Sequence, residues 1–200
     1  MVMRVRAIPD LLVEHLTSLA VLWKAWRVAL TSPDYTLNDF RRLEERLEAH
    51  LDGLREGRDK AISLARKRLV GDPAESFAAA SFLLINSEND SETTGEVINV
   101  FQRTEGAQLA ALRDAMMRAP THSLLPQLRE LLAADKPAVA VGAAEILAIR
   151  NSLDPTARRL QEFFVNEDPS VRAGAWRVAA LLDSAPPGNR VASRENPASE

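Results

Sequence analysis

The chain has 200 residues, of which 46% are hydrophobic, 26% charged and 5% aromatic, with a formal net charge of -3. This composition is typical of a soluble globular protein whose core is built from Ala, Leu and Val, and it lacks the basic balance of a dedicated nucleic-acid binder. The absence of cysteine excludes disulfides, thiolate zinc sites and a cysteine nucleophile.

No segment of the sequence predicts a membrane span or a clear signal peptide. The apolar stretch near the start is interrupted by Glu14 and His15, and the longest uncharged run covers only residues 76–87. A span needs about 20 apolar residues. We therefore expect no membrane insertion, and a cytoplasmic location.

Residues 1–56 predict an N-terminal helical hairpin. A turn at "TSPDYT" (31–36), with Pro33 stopping the first helix, separates two helices that each carry an apolar seam. We expect this hairpin to cap the first unit of the repeats that follow. The seams are Leu12, Leu16, Leu19, Trp23, Trp26 and Leu30 on the first helix, and Phe40, Leu43, Leu47, Leu51 and Leu54 on the second.

Residues 57–183 predict four helix pairs with a period of 32 residues. Each second helix opens at one column, formed by Pro73, Glu105, Pro137 and Pro169. Two neighbouring columns hold small residues, which would let helix backbones approach closely. These columns are Ala78, Ala110, Gly142 and Gly174, and then Ala79, Ala111, Ala143 and Ala175.

Each unit has a predicted first helix upstream of the second, over 58–70, 93–103, 123–134 and 154–165. Their apolar faces define two further columns. One is Leu64, Glu96, Leu128 and Leu160, with Glu96 as the exception, and the other is Arg68, Val100, Leu132 and Phe164.

Two segments depart from this pattern. The polar stretch 86–96, "NSENDSETTGE", predicts a long surface loop inserted between units one and two, with a binding loop as the alternative. Residues 184–200 are polar and rich in proline, and we expect them to form a disordered tail.

The third and fourth units resemble HEAT repeats. The resemblance is carried by Asp168, Pro169, Val171 and Arg172, which fit the Asp-Pro-x-Val-Arg turn, and by the Ala-rich second helices. It implies an all-α fold, a right-handed HEAT-like α-solenoid behind the hairpin. Because many functions share such a fold, the motif carries little information about function.

The hairpin is similar to the N-terminus of an uncharacterised bacterial HEAT-repeat family whose genes often lie in type VI secretion clusters. The closest match is the segment Leu43, Glu45, Arg46, Leu47, Ala49, His50, Leu51, Asp52, Gly53 and Leu54. The resemblance implies an accessory role near that secretion system, and it implies no reaction.

The sequence predicts no catalytic, metal or cofactor site. No pair of histidines has helical metal-ligand spacing, and no phosphate-binding loop or nucleophile elbow is present. His50 could join Glu45 and Asp52 in a polar cluster, although a surface or hydrogen-bonded histidine is the plainer interpretation. We therefore predict that the protein is not an enzyme.

The basic run around Arg66, Lys67 and Arg68 is the one signal for a nucleic-acid partner. Some HEAT-like proteins are DNA glycosylases, but Glu56 and Asp59 interrupt the positive charges here. Nucleic-acid binding therefore remains the less favoured alternative.

Arg172 and Trp176 are the candidate protein-binding residues. They lie four apart, beside the predicted core seam of the last helix, and Trp and Arg are enriched at interface hot spots. Trp176 either caps the end of the repeats or marks a partner surface. The prediction is an adaptor, chaperone or scaffold for a secretion component, with an immunity protein that binds a toxin as the alternative. The oligomeric state stays open.

Overall fold

The computed structural model describes residues 9–86, 90–119, 124–153 and 159–182. The predicted tail (184–200) and the first part of the predicted helix 154–165 lie outside these ranges. Within them the regular structure is entirely α-helical, which confirms the predicted class. The helices are α1 (Pro9–Ala29), α2 (Leu37–Arg55), α3 (Asp59–Arg68), α4 (Pro73–Asn86), α5 (Ser91–Arg103), α6 (Gly106–Arg118), α7 (Leu124–Leu131), α8 (Pro137–Ile149), α9 (Arg159–Phe164) and α10 (Pro169–Leu181).

The chain divides into two compact units, Met1–Gln127 and Leu128–Glu200. This division falls within α7. The domain boundaries predicted after residues 56 and 183, and the right-handed solenoid, stay predictions. None of the helices in the described ranges combines the length and apolar character that crossing a bilayer requires.

In the first unit, α1 and α2 form the predicted hairpin, and α1 also packs against α4. Both apolar seams are buried over most of their length, as Leu16 and Leu51 illustrate. Leu30 is the exception, because α1 ends at Ala29 and the Leu30 side chain is 55% exposed. Thr36 begins α2 with a reciprocal capping box: its hydroxyl oxygen accepts from the backbone N–H of Asp39.

The centre of the first unit is α4, which contacts α1, α3, α5 and α6. Its residues from Ser76 to Leu84 are all buried, as expected for a helix that is apolar on every side. Trp23 of α1 stacks on Phe77 of α4, with ring centroids 5.3 Å apart. Its indole Nε1 donates to the buried Asp114 of α6, at 3.1 Å from Oδ2.

The structure confirms the 32-residue period in the second helices, which are α4, α6, α8 and α10. Three of them begin at the predicted prolines, and α6 begins directly after Glu105, which is its N-cap. The predicted alanine column is buried throughout, with each member at most 1% exposed. Its members are Ala79, Ala111, Ala143 and Ala175.

The first-helix column predicted at Leu64 and Glu96 is wrong by one residue in units one and two. Both of these side chains are only half-buried, whereas the following residues, Ala65 and Val97, are fully buried. The corresponding buried residues of units three and four are Leu128 and Leu160, as predicted. The buried first-helix residue precedes the alanine column by fourteen positions in the first two units and by fifteen in the last two. The register between the two helices of a pair therefore differs by one residue.

The polar loop predicted over residues 86–96 is also wrong from Ser91 onward, where α5 begins. Asp90 caps this helix: its carboxylate accepts from the backbone N–H of Glu92 at 3.0 Å and from the Thr93 hydroxyl at 2.6 Å. These hydrogen bonds, that from Thr93 first, lower the pKa of Asp90. Residues that suggested a loop are therefore the polar first turn of a helix.

Candidate functional site

The start of α10 is fixed by the Asp-Pro pair that the sequence singled out. Asp168 is the N-cap, and its Oδ1 accepts from the backbone N–H of Ser170 at 2.7 Å. Pro169 occupies the first turn, where the missing N–H costs nothing. Hydrogen bonding from Ser170 lowers the pKa of Asp168, so the cap is a charged carboxylate at the positive end of the helix dipole.

Arg172, the first predicted binding residue, contacts the turn between α9 and α10. Its Nη1 donates to the carbonyl oxygen of Asn166 at 2.7 Å and to that of Glu167 at 2.8 Å. The side chain is half-buried by these contacts. Arg172 therefore ties α10 to the turn that precedes it.

Trp176, the second predicted binding residue, lies one turn further along α10. Its ring meets Phe164, the last residue of α9, edge to face, with centroids 5.4 Å apart. The Trp176 side chain nevertheless stays 48% exposed. The contact with Phe164 fits a capping role, and the exposed half of the ring is available to a partner.

The approach of α10 to α8 is close because Gly174 has no side chain. A Cβ at this position would lie 2.8 Å from Oε1 of Glu145 and 2.9 Å from Cγ2 of Val141. Distances this short would force the side chains of Glu145 and Val141, or the helices that carry them, to move. The small-residue column thus has the effect that the sequence predicted, at least at Gly174.

An ion pair between a buried carboxylate and a half-exposed arginine joins the same two helices, and sequence reasoning missed it. Glu145 is 2% exposed on α8, and its Oε1 accepts from Nη2 of Arg177 at 2.6 Å and from Nε at 3.1 Å. The two residues lie 32 positions apart, so they occupy the same repeat column with opposite charges. The opposite charges one repeat apart, and the presence of an acidic residue in the otherwise apolar helix α8, could have indicated this ion pair from the sequence.

The side of α10 that faces solvent is largely apolar. Its members recur at helical spacing and are all exposed. We call this surface the outer face of α10, and it consists of Pro169, Ala173, Trp176, Arg177 and Ala180. Arg172 lies at its edge. Together, the outer face of α10 and its edge offer one large aromatic ring and two guanidinium groups.

In the structure, His50 has a partner other than the polar cluster that the sequence suggested. His50 pairs with His15 across the hairpin, with their Nδ1 atoms 2.9 Å apart, and Asp52 forms an ion pair with Arg55 instead. Burial, followed by the charges of His15 and Arg46, lowers the pKa of His50. The pairing escaped sequence reasoning because its partners are 35 residues apart on different helices.

The basic run of α3 is paired with carboxylates in the structure. Arg66 Nε lies 2.8 Å from Oε2 of Glu96, and Arg68 lies 3.5 Å from Glu75. An open groove of about 840 Å³ beside this pair is lined by residues of α3, α5 and the start of α6. Because acidic residues share its lining, the groove presents no continuous positive surface.

Across the described ranges, no three His, Asp or Glu side chains converge in an arrangement that could hold a metal ion. Comparison with known proteins found no matching family model, no matching curated protein and no matching solved structure.

Proposed function

We propose that this chain is a non-enzymatic protein-interaction module that binds its partner through the outer face of α10, together with Arg172. The observation that carries the proposal is Trp176, a large aromatic side chain that is half exposed on a regular helix. Exposed tryptophans that cluster with arginines are typical of interface hot spots. Arg172 and Arg177 flank this ring in the sequence of α10.

The chemistry of this surface favours a protein over a nucleic acid. Pro169, Ala173 and Ala180 surround Trp176 with apolar surface, whereas binding to phosphates requires an extended basic face. The one basic run of the sequence is largely neutralised by Glu75 and Glu96.

The biological setting of the proposal comes from the sequence resemblance alone. The Asp-Pro-x-Val-Arg turn resembles HEAT repeats in general, and the hairpin resembles a bacterial HEAT-repeat family whose genes often lie in type VI secretion clusters. On that basis the module acts as a cytoplasmic adaptor, chaperone or scaffold for a secretion component, with four HEAT-like helix pairs arranged as a right-handed α-solenoid.

The test begins with a partner identified by cross-linking and mass spectrometry and then compares defined variants. Changing both Arg172 and Trp176 to Ala should weaken partner binding by roughly 2 kcal/mol or more, as expected for hot-spot residues. Because Arg172 also holds the α9–α10 turn, the single variant Trp176→Ala is measured beside the double variant. Val70→Ala, an exposed apolar position of the first unit, is the matched control.

Circular dichroism must show that each variant is folded. Unchanged binding by a folded Trp176→Ala variant would place the binding surface elsewhere. Turnover of any substrate by the purified protein would overturn the proposal that it is not an enzyme.

A further inference from the structure

The outer face of α10 corresponds by the 32-residue period to a face of α8 that is covered. Four residues of α8, namely Val141, Ala144, Glu145 and Ala148, are all buried. Thirty-two positions later stand Ala173, Trp176, Arg177 and Ala180, and all four are exposed. Among the described residues of the second unit, the same helix face therefore occurs twice, once covered by another helix and once exposed.

The covered copy shows what kind of element fits such a face. The covering helix of α8 is α10, which places the backbone of Gly174 against Val141 and Glu145. Three residues later, Arg177 of α10 donates to Glu145. The covering helix thus supplies a small residue for close approach and, three positions on, a charge opposite to the one beneath it.

On the uncovered copy, the Arg177 side chain is paired with Glu145 and is also exposed to solvent. Arg177 directs Nε and Nη2 at one oxygen of Glu145, and its side chain remains 52% exposed. Among the residues that the structure describes, no acceptor lies within hydrogen-bond distance of Nη1. A carboxylate from outside would meet a guanidinium that is already oriented by a buried partner.

The repeat column that contains Arg177 also indicates which charge a covering helix would carry. The column begins with the uncharged Ser81 and continues with Arg113, Glu145 and Arg177, so its three charged members alternate in sign. An acidic residue on a covering helix would continue this alternation. At the adjacent position of the repeat, α8 has Ala144 and α10 has the larger Trp176. A helix that crosses the Trp176 ring therefore needs a small residue at the point of closest contact.

We propose that the outer face of α10 docks one α-helix of a partner protein, and that this helix carries Gly or Ala followed three residues later by Asp or Glu. The helix packs across Ala173 and Trp176 as α10 packs on α8, and its carboxylate binds Arg177. This inference rests on the proposed function, since it specifies the partner of the same surface.

The test selects binders for the full chain from a displayed library of single helices whose exposed positions are randomised. Enriched sequences are expected to contain Gly or Ala three residues before Asp or Glu. Synthetic peptides of those sequences should bind, and replacing their acid by the corresponding amide should weaken binding by about tenfold, the loss typical of a charge-assisted contact.

A charge reversal provides the matched control. The double variant Glu145→Arg with Arg177→Glu exchanges the two charges of the internal ion pair, so that the outer face would present a carboxylate. The same selection on this variant should enrich Lys or Arg at the position that was acidic. Thermal unfolding by circular dichroism verifies that the double variant is folded before the selection is interpreted.

The outcomes separate this inference from the proposed function. Peptides whose binding depends on Trp176 but shows no acidic preference, and no reversal, would overturn the helix-and-carboxylate proposal while the binding surface stands. Peptides that ignore Trp176→Ala would overturn both. If binding appears only after residues 183–200 are deleted, the chain's own C-terminal residues occupy the face and the partner-helix proposal is wrong; equal binding with and without them supports it.

Discussion

The helices α4 and α10 occupy the same place in the repeat, yet one is enclosed and the other presents a face to solvent. Four positions of α4, namely Phe77, Ala80, Ser81 and Leu84, are all buried. Their counterparts on α10, namely Ala173, Trp176, Arg177 and Ala180, are all exposed. The neighbours account for the contrast within each unit, because α1 and α6 both pack on α4, whereas α10 packs on α8 and α9.

This difference shows that a repeat position does not by itself determine burial. The shared alanine column is buried in both helices, at Ala79 and at Ala175. The other side of each helix depends on whether a further element covers it. Side chains have adapted to that circumstance, with Phe77 and Leu84 in the enclosed helix and Arg177 and Trp176 in the open one.

The largest expected effect comes from removing a buried side chain from the enclosed helix α4. Replacing Phe77 with Ala removes a fully buried ring and its stacking on Trp23, and we expect the free energy of unfolding to fall by roughly 3–5 kcal/mol. The counterpart substitution Ala173→Ser on α10 should change it by at most about 0.5 kcal/mol. Urea unfolding of both variants measures the contrast, and equal losses would contradict it.

Overpacking the shared column gives the next largest effect. Ala143 is fully buried on α8, so Ala143→Leu should reduce the free energy of unfolding by roughly 1–3 kcal/mol. Ala173→Leu makes the same change on the exposed face of α10 and should leave stability within about 0.5 kcal/mol. A melting temperature unchanged by Ala143→Leu would show that the alanine column does not lie in the packed core.

Trp176 should contribute modestly to stability in spite of its size. Its contact with Phe164 is lost in Trp176→Ala, and we expect a decrease of about 1 kcal/mol, the value typical of an aromatic pair. Trp176→Phe retains an aromatic contact and is the matched control. A decrease as large as that of Phe77→Ala would make Trp176 a structural cap and would weaken its assignment as a binding residue.

The smallest expected effect is a pH dependence of stability that arises from His50 in the first unit and has no counterpart in the second. In the folded protein the pKa of His50 is lowered, first by burial and then by the charges of His15 and Arg46, while Glu14 opposes the shift. The unfolded chain therefore binds a proton near pH 6.5, the ordinary pKa of histidine, whereas the folded chain binds it only at lower pH. Stability contributed here is complete above pH 6.5 and is lost as the pH falls below it.

Thermal unfolding of the full chain between pH 5 and pH 8 measures this dependence, and His50→Gln should make the slope shallower in that range. Residues 128–200 contain no histidine, so the second unit lacks this source of acid sensitivity. An unchanged slope in His50→Gln would assign the pH dependence to groups outside the histidine pair.

Much of the fold was predictable because its signals are local. The prolines at 73, 137 and 169, the alanine column and the leucine seam of α2 all depend on helix geometry, which repeats along the chain. One mistake arose where a single residue of spacing mattered. Leu64 and Ala65 are both apolar, so the pattern could not decide which of them faces the core.

The candidate site was predictable only in part. Trp176 was identified because a tryptophan beside a helix seam is conspicuous, and the Asp-Pro turn indicated where its helix begins. The role of Arg172 in holding the turn could not be predicted, because its acceptors are backbone carbonyls that carry no residue-specific signal. The pairs Glu145–Arg177 and His15–His50 depend on helix packing and not on neighbouring sequence.

The sequence by itself determined that the chain is helical, where most helices begin, and which alanines let them pack closely, because these properties follow from backbone geometry and side-chain size within short segments. Only the tertiary structure decided that the face of α4 is enclosed and that of α10 is open, that Glu145 is buried with a partner, and that His50 meets His15. Burial and ion pairing depend on which elements lie against a helix, and those elements come from distant parts of the chain.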